Sequence, residues 1–144
     1  MAVKAIPDGY HSVTPSLVVK GAAKLIDFVK AAFGAEEAFR MPAATGEIMH
    51  AEVRIGDSVV MLNDAMRQTP TISSMFLYVA DVDSVYQRAL KAGATPLSEP
   101  ANMFWGDRMA QVKDEFGNQW SIATHVEDVP PQELQKRAEV AMRQ

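Results

Sequence analysis

Apolar residues along the chain switch between two periods, and the switches mark its elements. Val13 to Val19 is a run of β-branched and small residues that predicts a strand, with Pro15 confining it to a sheet edge or to the strand's start. Ala22, Leu25, Ile26, Val29, Ala32 and Phe33 then recur at helical spacing. Gly34 follows as the residue able to take the left-handed conformation that ends a helix. Glu37 to Met41 predicts a short strand, and Pro42 to Gly46 a loop. Ile48 to Ile55 alternates, with Met49, Ala51, Val53 and Ile55 on one face and His50, Glu52 and Arg54 on the other. Gly56-Asp57 turns the chain into the apolar strand Ser58 to Asn63. The first half reads β-α-β-β-β.

After the loop Asp64 to Ser73 the order returns. Ser74 to Val79 predicts a strand, and Val82 to Ala92 a helix with Val82, Val85, Ala89 and Leu90 as its apolar stripe and Asp81 as N-cap. Gly93 ends it. Thr95 to Leu97 is a weak strand, Ser98 to Phe104 a loop, and Arg108 to Lys113 pairs with Gln119 to Ala123 around the turn Asp114 to Asn118. Leu17-Val18-Val19 and Leu77-Tyr78-Val79 stand 60 residues apart, as do Met61-Leu62 and Ser121-Ile122. That period makes the chain an internal duplication, the alternative being an unrelated α+β domain with coincidental spacing. Each unit has one sheet face covered by its helix and one bare, and two bare faces can curve around a shared cavity. The expected organisation is a domain over 1–126, with modules at about 12–64 and 73–125, and a tail over 127–144. In the tail, Pro130-Pro131 and the stripe Leu134, Arg137, Ala138, Ala141 and Met142 predict a helix, which caps a pocket, meets a second copy or frays.

Composition narrows the function classes. The 144 residues (15.8 kDa) are 48% hydrophobic and 22% charged, as in a folded globular protein. A formal charge of -4, a pI near 5.3 and scattered Lys and Arg give no footprint for nucleic acid. No apolar run approaches the roughly 20 residues that span a bilayer, and Met1 to Pro7 holds no signal-peptide core, so a cytoplasmic protein without membrane partners is expected. The absence of cysteine excludes disulfides, thiolate metal sites and Cys nucleophiles.

Several segments carry a resemblance. Ile26-Asp27-Phe28 in a helix ending at Phe33-Gly34 resembles the helix of glyoxalase-type modules. Leu77-Tyr78-Val79-Ala80-Asp81-Val82-Asp83 resembles the opening of their second module, and Asp114-Glu115-Phe116-Gly117-Asn118 their Asp-Pro-x-Gly-Asn turn, with Glu115 in place of proline. Met49-His50-Ala51-Glu52, Asp57 through Leu62, and Trp105-Gly106-Asp107-Arg108 resemble the PhnB-like branch. Over residues 12 to 124 the chain is thus similar to the glyoxalase/bleomycin resistance/dioxygenase, or vicinal oxygen chelate, superfamily. The resemblance implies an α+β fold of two βαβββ modules forming a curved mixed sheet around a cavity, plus the C-terminal helix, and pairing into a homodimer. It also implies a divalent metal held by His and Glu from four strands, acting as a Lewis acid. Carried over, those positions hold Thr14, Met61, Ser74 and Ser121. Hydroxyls and a thioether are poor ligands, so neither a metal nor another cofactor is expected.

Strand parity places Thr14, Ser16, Val59, Met61, Ser74, Phe76, Tyr78, Gln119 and Ser121 on the bare faces with His50, Glu52 and Arg54, a lining suited to a small-molecule ligand. His50 and Glu52 read either as acid–base groups or half of a displaced metal site, or as polar residues on a solvated rim with Arg54. Trp105 and Arg108 read either as a stacking platform and clamp for an anionic ligand, or as a core residue and an Asp107–Arg108 pair fixing a loop. His11 and His125 lie outside the repeat and read as surface residues, whereas Met49 and Met75 read as core filler. Two functions follow: a metal-independent protein that sequesters a small molecule, or a lyase, isomerase or hydrolase of a small oxygenated metabolite with His50 and Glu52 as acid–base groups.

Overall fold

A computed structural model describes residues 2–144; Met1, the first residue of the expected 1–126 domain, lies outside it. The elements are β1 (Ser16–Val19), α1 (Ala22–Phe33), β2 (Glu36–Pro42), β3 (Ile48–Ile55), β4 (Ser58–Asp64), β5 (Ser74–Tyr78), α2 (Val82–Lys91), β6 (Thr95–Asn102), β7 (Asp107–Lys113), β8 (Gln119–His125) and α3 (Pro131–Met142). They form two four-stranded mixed sheets, ordered β1-β4-β3-β2 and β5-β8-β7-β6, in two compact units, Met1–Ser73 and Ser74–Gln144. The first and last strands of each module pair in parallel and the rest antiparallel, so the βαβββ duplication holds element by element. No helix of the described residues is long and apolar enough to cross a membrane.

In the first unit Leu25, Ile26 and Val29 of α1 pack on Leu17, Val19, Ala51, Val53, Val60 and Leu62, all at most 3% exposed. These strand residues share one parity, which leaves Thr14, Ser16, His50, Glu52 and Met61 on the helix-free side. In the second unit Val82, Tyr86 and Ala89 pack over Ala110, Val112, Trp120 and Ile122. Tyr86 takes the place expected of Val85, its ring spanning more of the sheet.

Four expectations are corrected. Pro15 has no N–H to pair, so β1 opens at Ser16, although the Pro15 carbonyl still accepts the Met61 N–H at 2.9 Å. A register shift between Met41 and Pro42 brings Ile48, not Met49, to the core side; Met49 is 51% exposed and is not core filler. Met75 is only partly buried. The stretch 98–104, read as a loop, is strand as far as Asn102: β6 is an edge strand, and two register shifts absorb Pro96 and Pro100.

The C-terminal helix α3 exists as expected and buries no residue fully. It is held by Arg137, whose guanidinium meets both Glu127 oxygens at 2.8 Å, with Glu133 and the Phe104 carbonyl close by. Gly106 accepts the Val126 and Glu127 N–H groups at φ 103; a Cβ there would lie 2.1 Å from the Glu127 carbonyl oxygen.

Candidate functional site

A cavity of about 590 Å³ lies in the first unit, between the N-terminal segment 5–14 and the helix-free sheet face. Ile6, Pro7 and Met61 give it apolar walls, and Tyr10, Ser12, Thr14 and Glu52 its polar groups, together with His11, which the sequence placed on the surface. Glu52 and Met61 face each other as a cross-strand pair of β3 and β4, and Met61 is itself level with Ser16 of β1. Thr14 just precedes β1 on the same face. Three residues singled out from the sequence, Thr14, Glu52 and Met61, therefore share one cavity. Tyr10 was not anticipated, because segment 5–14 has no periodicity that would place it.

Glu52 is the centre of the polar chemistry. Its Oε1 accepts the Tyr10 hydroxyl, and its Oε2 lies 2.8 Å from His50 Nε2. These bonds, Tyr10's first and His50's second, hold the Glu52 carboxyl below the usual carboxylate range despite its partial burial. The same bond, with burial and the carboxylate charge added, pushes the Tyr10 hydroxyl up to about 12. The Phe39 ring sits 6.2 Å from the His50 ring across the β2–β3 pair. The arrangement can present an ionised carboxylate to a bound molecule, or orient His50 for proton transfer.

The second unit carries the remaining candidates. Ser74 and Phe76 are on the helix-free face of β5, and Ser121 is buried there beneath Gln111, whose amide donates to its hydroxyl at 3.1 Å. Trp105 donates its indole N–H to Asp107 at 2.9 Å and meets Phe104 edge to face. Arg108 has a protein partner. It shares the parity of Ala110 and Val112, so it turns to the helix side, where Asp83 at the start of α2 binds it through both oxygens at 2.8 and 2.9 Å. Neither is Arg108 paired with Asp107.

Asp107 heads a cluster that was overlooked. It is 2% exposed and accepts from Tyr78 and Trp105 at 2.9 Å, while His125 Nδ1 lies 2.9 Å away and His125 Nε2 reaches Asp128 at 2.7 Å. Burial pushes the Asp107 carboxyl up, but the bonds from His125, Tyr78 and Trp105 outweigh it and keep the group ionised. Asp128 first, then Asp107, raise the His125 imidazole above its ordinary value. A signal was available: with the hairpin turn fixed at 114–118, the β7–β8 register pairs Asp107 with His125.

The model of the glyoxalase/bleomycin resistance protein/dioxygenase superfamily matches residues 10–122. The chain belongs to that superfamily. An uncharacterized protein of Mycobacterium bovis is 40% identical over 147 residues, covering 94% of each chain. Among solved structures, TioX from Micromonospora sp. ML1 is similar over 80% of this chain and all of its own, at 24% identity and a TM-score of 0.66. A PhnB protein from Bacillus cereus matches 79% of this chain and 99% of its own, at 16% identity and a TM-score of 0.65. At those identities the two structures establish the shared fold.

The superfamily's metal finds poor donors here. Thr14 and Met61, at two of the positions carried over from the resemblance, offer a neutral hydroxyl and a thioether, and Ser74 and Ser121 offer hydroxyls. Among the described residues no three His, Asp or Glu side chains are grouped to hold a metal ion. His125 has both ring nitrogens engaged by carboxylates.

Proposed function

We propose that this superfamily member is a metal-independent small-molecule-binding protein of the PhnB-like branch, and that its ligand occupies the cavity over Glu52. The observation that carries the reading is the cavity itself: its volume of about 590 Å³ lies within the range of small-ligand sites, and its walls combine apolar surface with a few convergent polar groups. Binding there needs shape and hydrogen bonds and no Lewis acid. Met61 is on the wall of the site, so Met61→Trp should fill it. The test is a ligand screen by melting-temperature shift on wild type, the chelator-treated protein and Met61→Trp. Compounds that stabilise the first two equally and lose their effect on the third support the reading. Stabilisation that needs added metal, or that survives Met61→Trp, overturns it.

One observation favours a second reading. The Tyr10–Glu52–His50 chain orients an imidazole beside the cavity, as an acid–base lyase, isomerase or hydrolase requires. Against it, Glu52 is held ionised by two partners and is a weak base, and Arg108 is committed to Asp83 rather than to a substrate anion. Turnover of a small oxygenated metabolite that is lost in both His50→Ala and Glu52→Gln would put this reading first.

A further inference from the structure

We propose that the cavity of the first unit selects a ligand bearing a cationic amine, with Glu52 as its counter-charge and the Tyr10 hydroxyl as the group the amine displaces. This rests on the reading of the cavity as the ligand site and adds the chemical class of what enters it.

The charge pattern of the walls carries the inference. Among the described residues Glu52 is the only carboxylate on the walls and no lysine or arginine lines the cavity; the other titratable groups there are the Tyr10 hydroxyl and the His11 imidazole. Arg54, the next residue on the same face of β3, is not on the walls; its Nη2 reaches toward Gly9, 3.5 Å from the point where a Cβ there would sit. An anionic ligand would therefore meet a partly buried negative charge faced only by two imidazoles, His50 on Glu52 itself and His11 on the wall, a costly arrangement away from water. A neutral ligand leaves that charge with the partners it already has. An ammonium group gains a charge-assisted bond, roughly twice as strong as a neutral one.

Glu52 has room for this bond. Each of its oxygens accepts from one protein group, whereas an ionised carboxylate offers about four acceptor positions. Tyr10 is the displaceable partner. It sits on a segment whose side chains are largely exposed, in a turn closed by its own N–H on the Pro7 carbonyl. Its neutral hydroxyl occupies the acceptor that a ligand cation would use, so it competes with the ligand for Glu52.

Three probes of similar shape test this on the full-length protein: benzylamine, benzyl alcohol and benzoate, titrated while amide NMR shifts report on segment 5–14 and on β3. Benzylamine is expected to bind at least about tenfold more tightly than the other two, the equivalent of one added charge-assisted bond. Glu52→Gln should reduce that preference to within about twofold, and Tyr10→Phe should tighten benzylamine severalfold by removing the competitor. Two independent variants thus read opposite directions, so a folding defect in one cannot mimic the result. Equal or better binding of benzoate, a preference that survives Glu52→Gln, or no response to any probe overturns the inference. If alcohol and benzoate bind, are blocked by Met61→Trp and are not outdone by the amine, the cavity reading stands and the amine selectivity falls. If benzylamine binds and Met61→Trp leaves it unchanged, both fall.

Discussion

Replacing Asp64 should cost the first unit more stability than replacing any of its site residues. Asp64 closes β4 and is 7% exposed, yet it is charged: its Oδ1 accepts the N–H groups of Gly21 and Ala22 at 2.8 and 2.9 Å, and its Oδ2 that of Ile48 at 2.7 Å. Those donors lie at the start of α1 and the start of β3. Helix α1 begins at Gly21 with no capping side chain of its own and no acidic residue in its first turn. Asp64 therefore supplies the cap and the favourable charge for the helix dipole from a different element, while pinning the strand beside it.

The magnitude follows from three bonds lost. Caps are worth typically ~1 kcal/mol each, and bonds to charged groups somewhat more. Removing the carboxylate also relieves its desolvation, which here opposes ionisation and is outweighed by the three N–H donors. Asp64→Ala should then destabilise by about 3 kcal/mol, or roughly 6–12 °C in melting temperature for a chain of this size. Asp64→Asn should keep the oxygen facing Gly21 and Ala22 but turn an N–H toward Ile48, and so recover less than half. The pH dependence has a definite sign. The folded Asp64 carboxyl lies below its ordinary 3.8, so its contribution is present above that value and lost as pH falls through the lower folded value. Thermal melts of wild type and Asp64→Ala from about pH 3 to 8 check both. A variant melting within about 2 °C of wild type near neutrality, or a gap that widens in acid, would refute the reasoning.

Two further outcomes test the second unit. His125 has a raised pKa, so its ion pairs with Asp128 and Asp107 contribute fully below the ordinary 6.5 and fade as pH rises through the higher folded value. The melting gap between wild type and His125→Ala should therefore be largest at about pH 5–6 and shrink above about pH 8, and a gap growing with pH would contradict the assigned partners. Gly106→Ala sets a Cβ against the Glu127 carbonyl at a positive φ, so at least ~2 kcal/mol of stability should be lost, together with the protection of α3 from proteolysis; unchanged cleavage within α3 would show that Gly106 does not seat the tail.

The elements were legible where burial imposes a period. Leu25, Ile26 and Val29 at helical spacing and Ala51, Val53 and Ile55 at alternate positions are buried as their pattern demands, and the glycine ending α1 adopts φ 68. Legibility failed at edges and bulges, where no period holds. The shift at Met41/Pro42 put Ile48 inside and Met49 out, and the prolines of β6 concealed a strand that only an edge tolerates. Of the residues lining the cavity, Thr14, Glu52 and Met61 share the strand parity of the helix-free face, and the resemblance also pointed to Thr14 and Met61. Tyr10 was not legible, because a hydroxyl delivered from an aperiodic segment leaves no trace in the sequence of the strand it meets. For Arg108 the sequence left two readings open; it shares the parity of Ala110 and Val112, and Asp83 holds it on the helix side.

The duplication gives the two units different polar pairs at equivalent positions. Asp64 and Thr124 stand 60 residues apart and do the same work: Thr124 accepts the Val82 N–H at the start of α2 and donates to the Val79 carbonyl, as Asp64 holds the start of α1. α2 has its own cap in Asp81, so a hydroxyl suffices there, whereas α1 starts at glycine and needs the carboxylate. On the other face the cross-strand pair Glu52 and Met61 has its counterpart in Gln111 and Ser121. Gln111 spends its amide on Ser121, which is buried, and the pair is neutral and self-satisfied. Glu52 has a thioether opposite that cannot bond it strongly, so its partners come from elsewhere, from His50 on its own strand and from Tyr10 on the segment outside the repeat. One copy of the module has closed its polar pair internally. The other has left a carboxylate whose partners come from outside the pair, and that difference, rather than the fold the two copies share, is what the proposed binding function rests on.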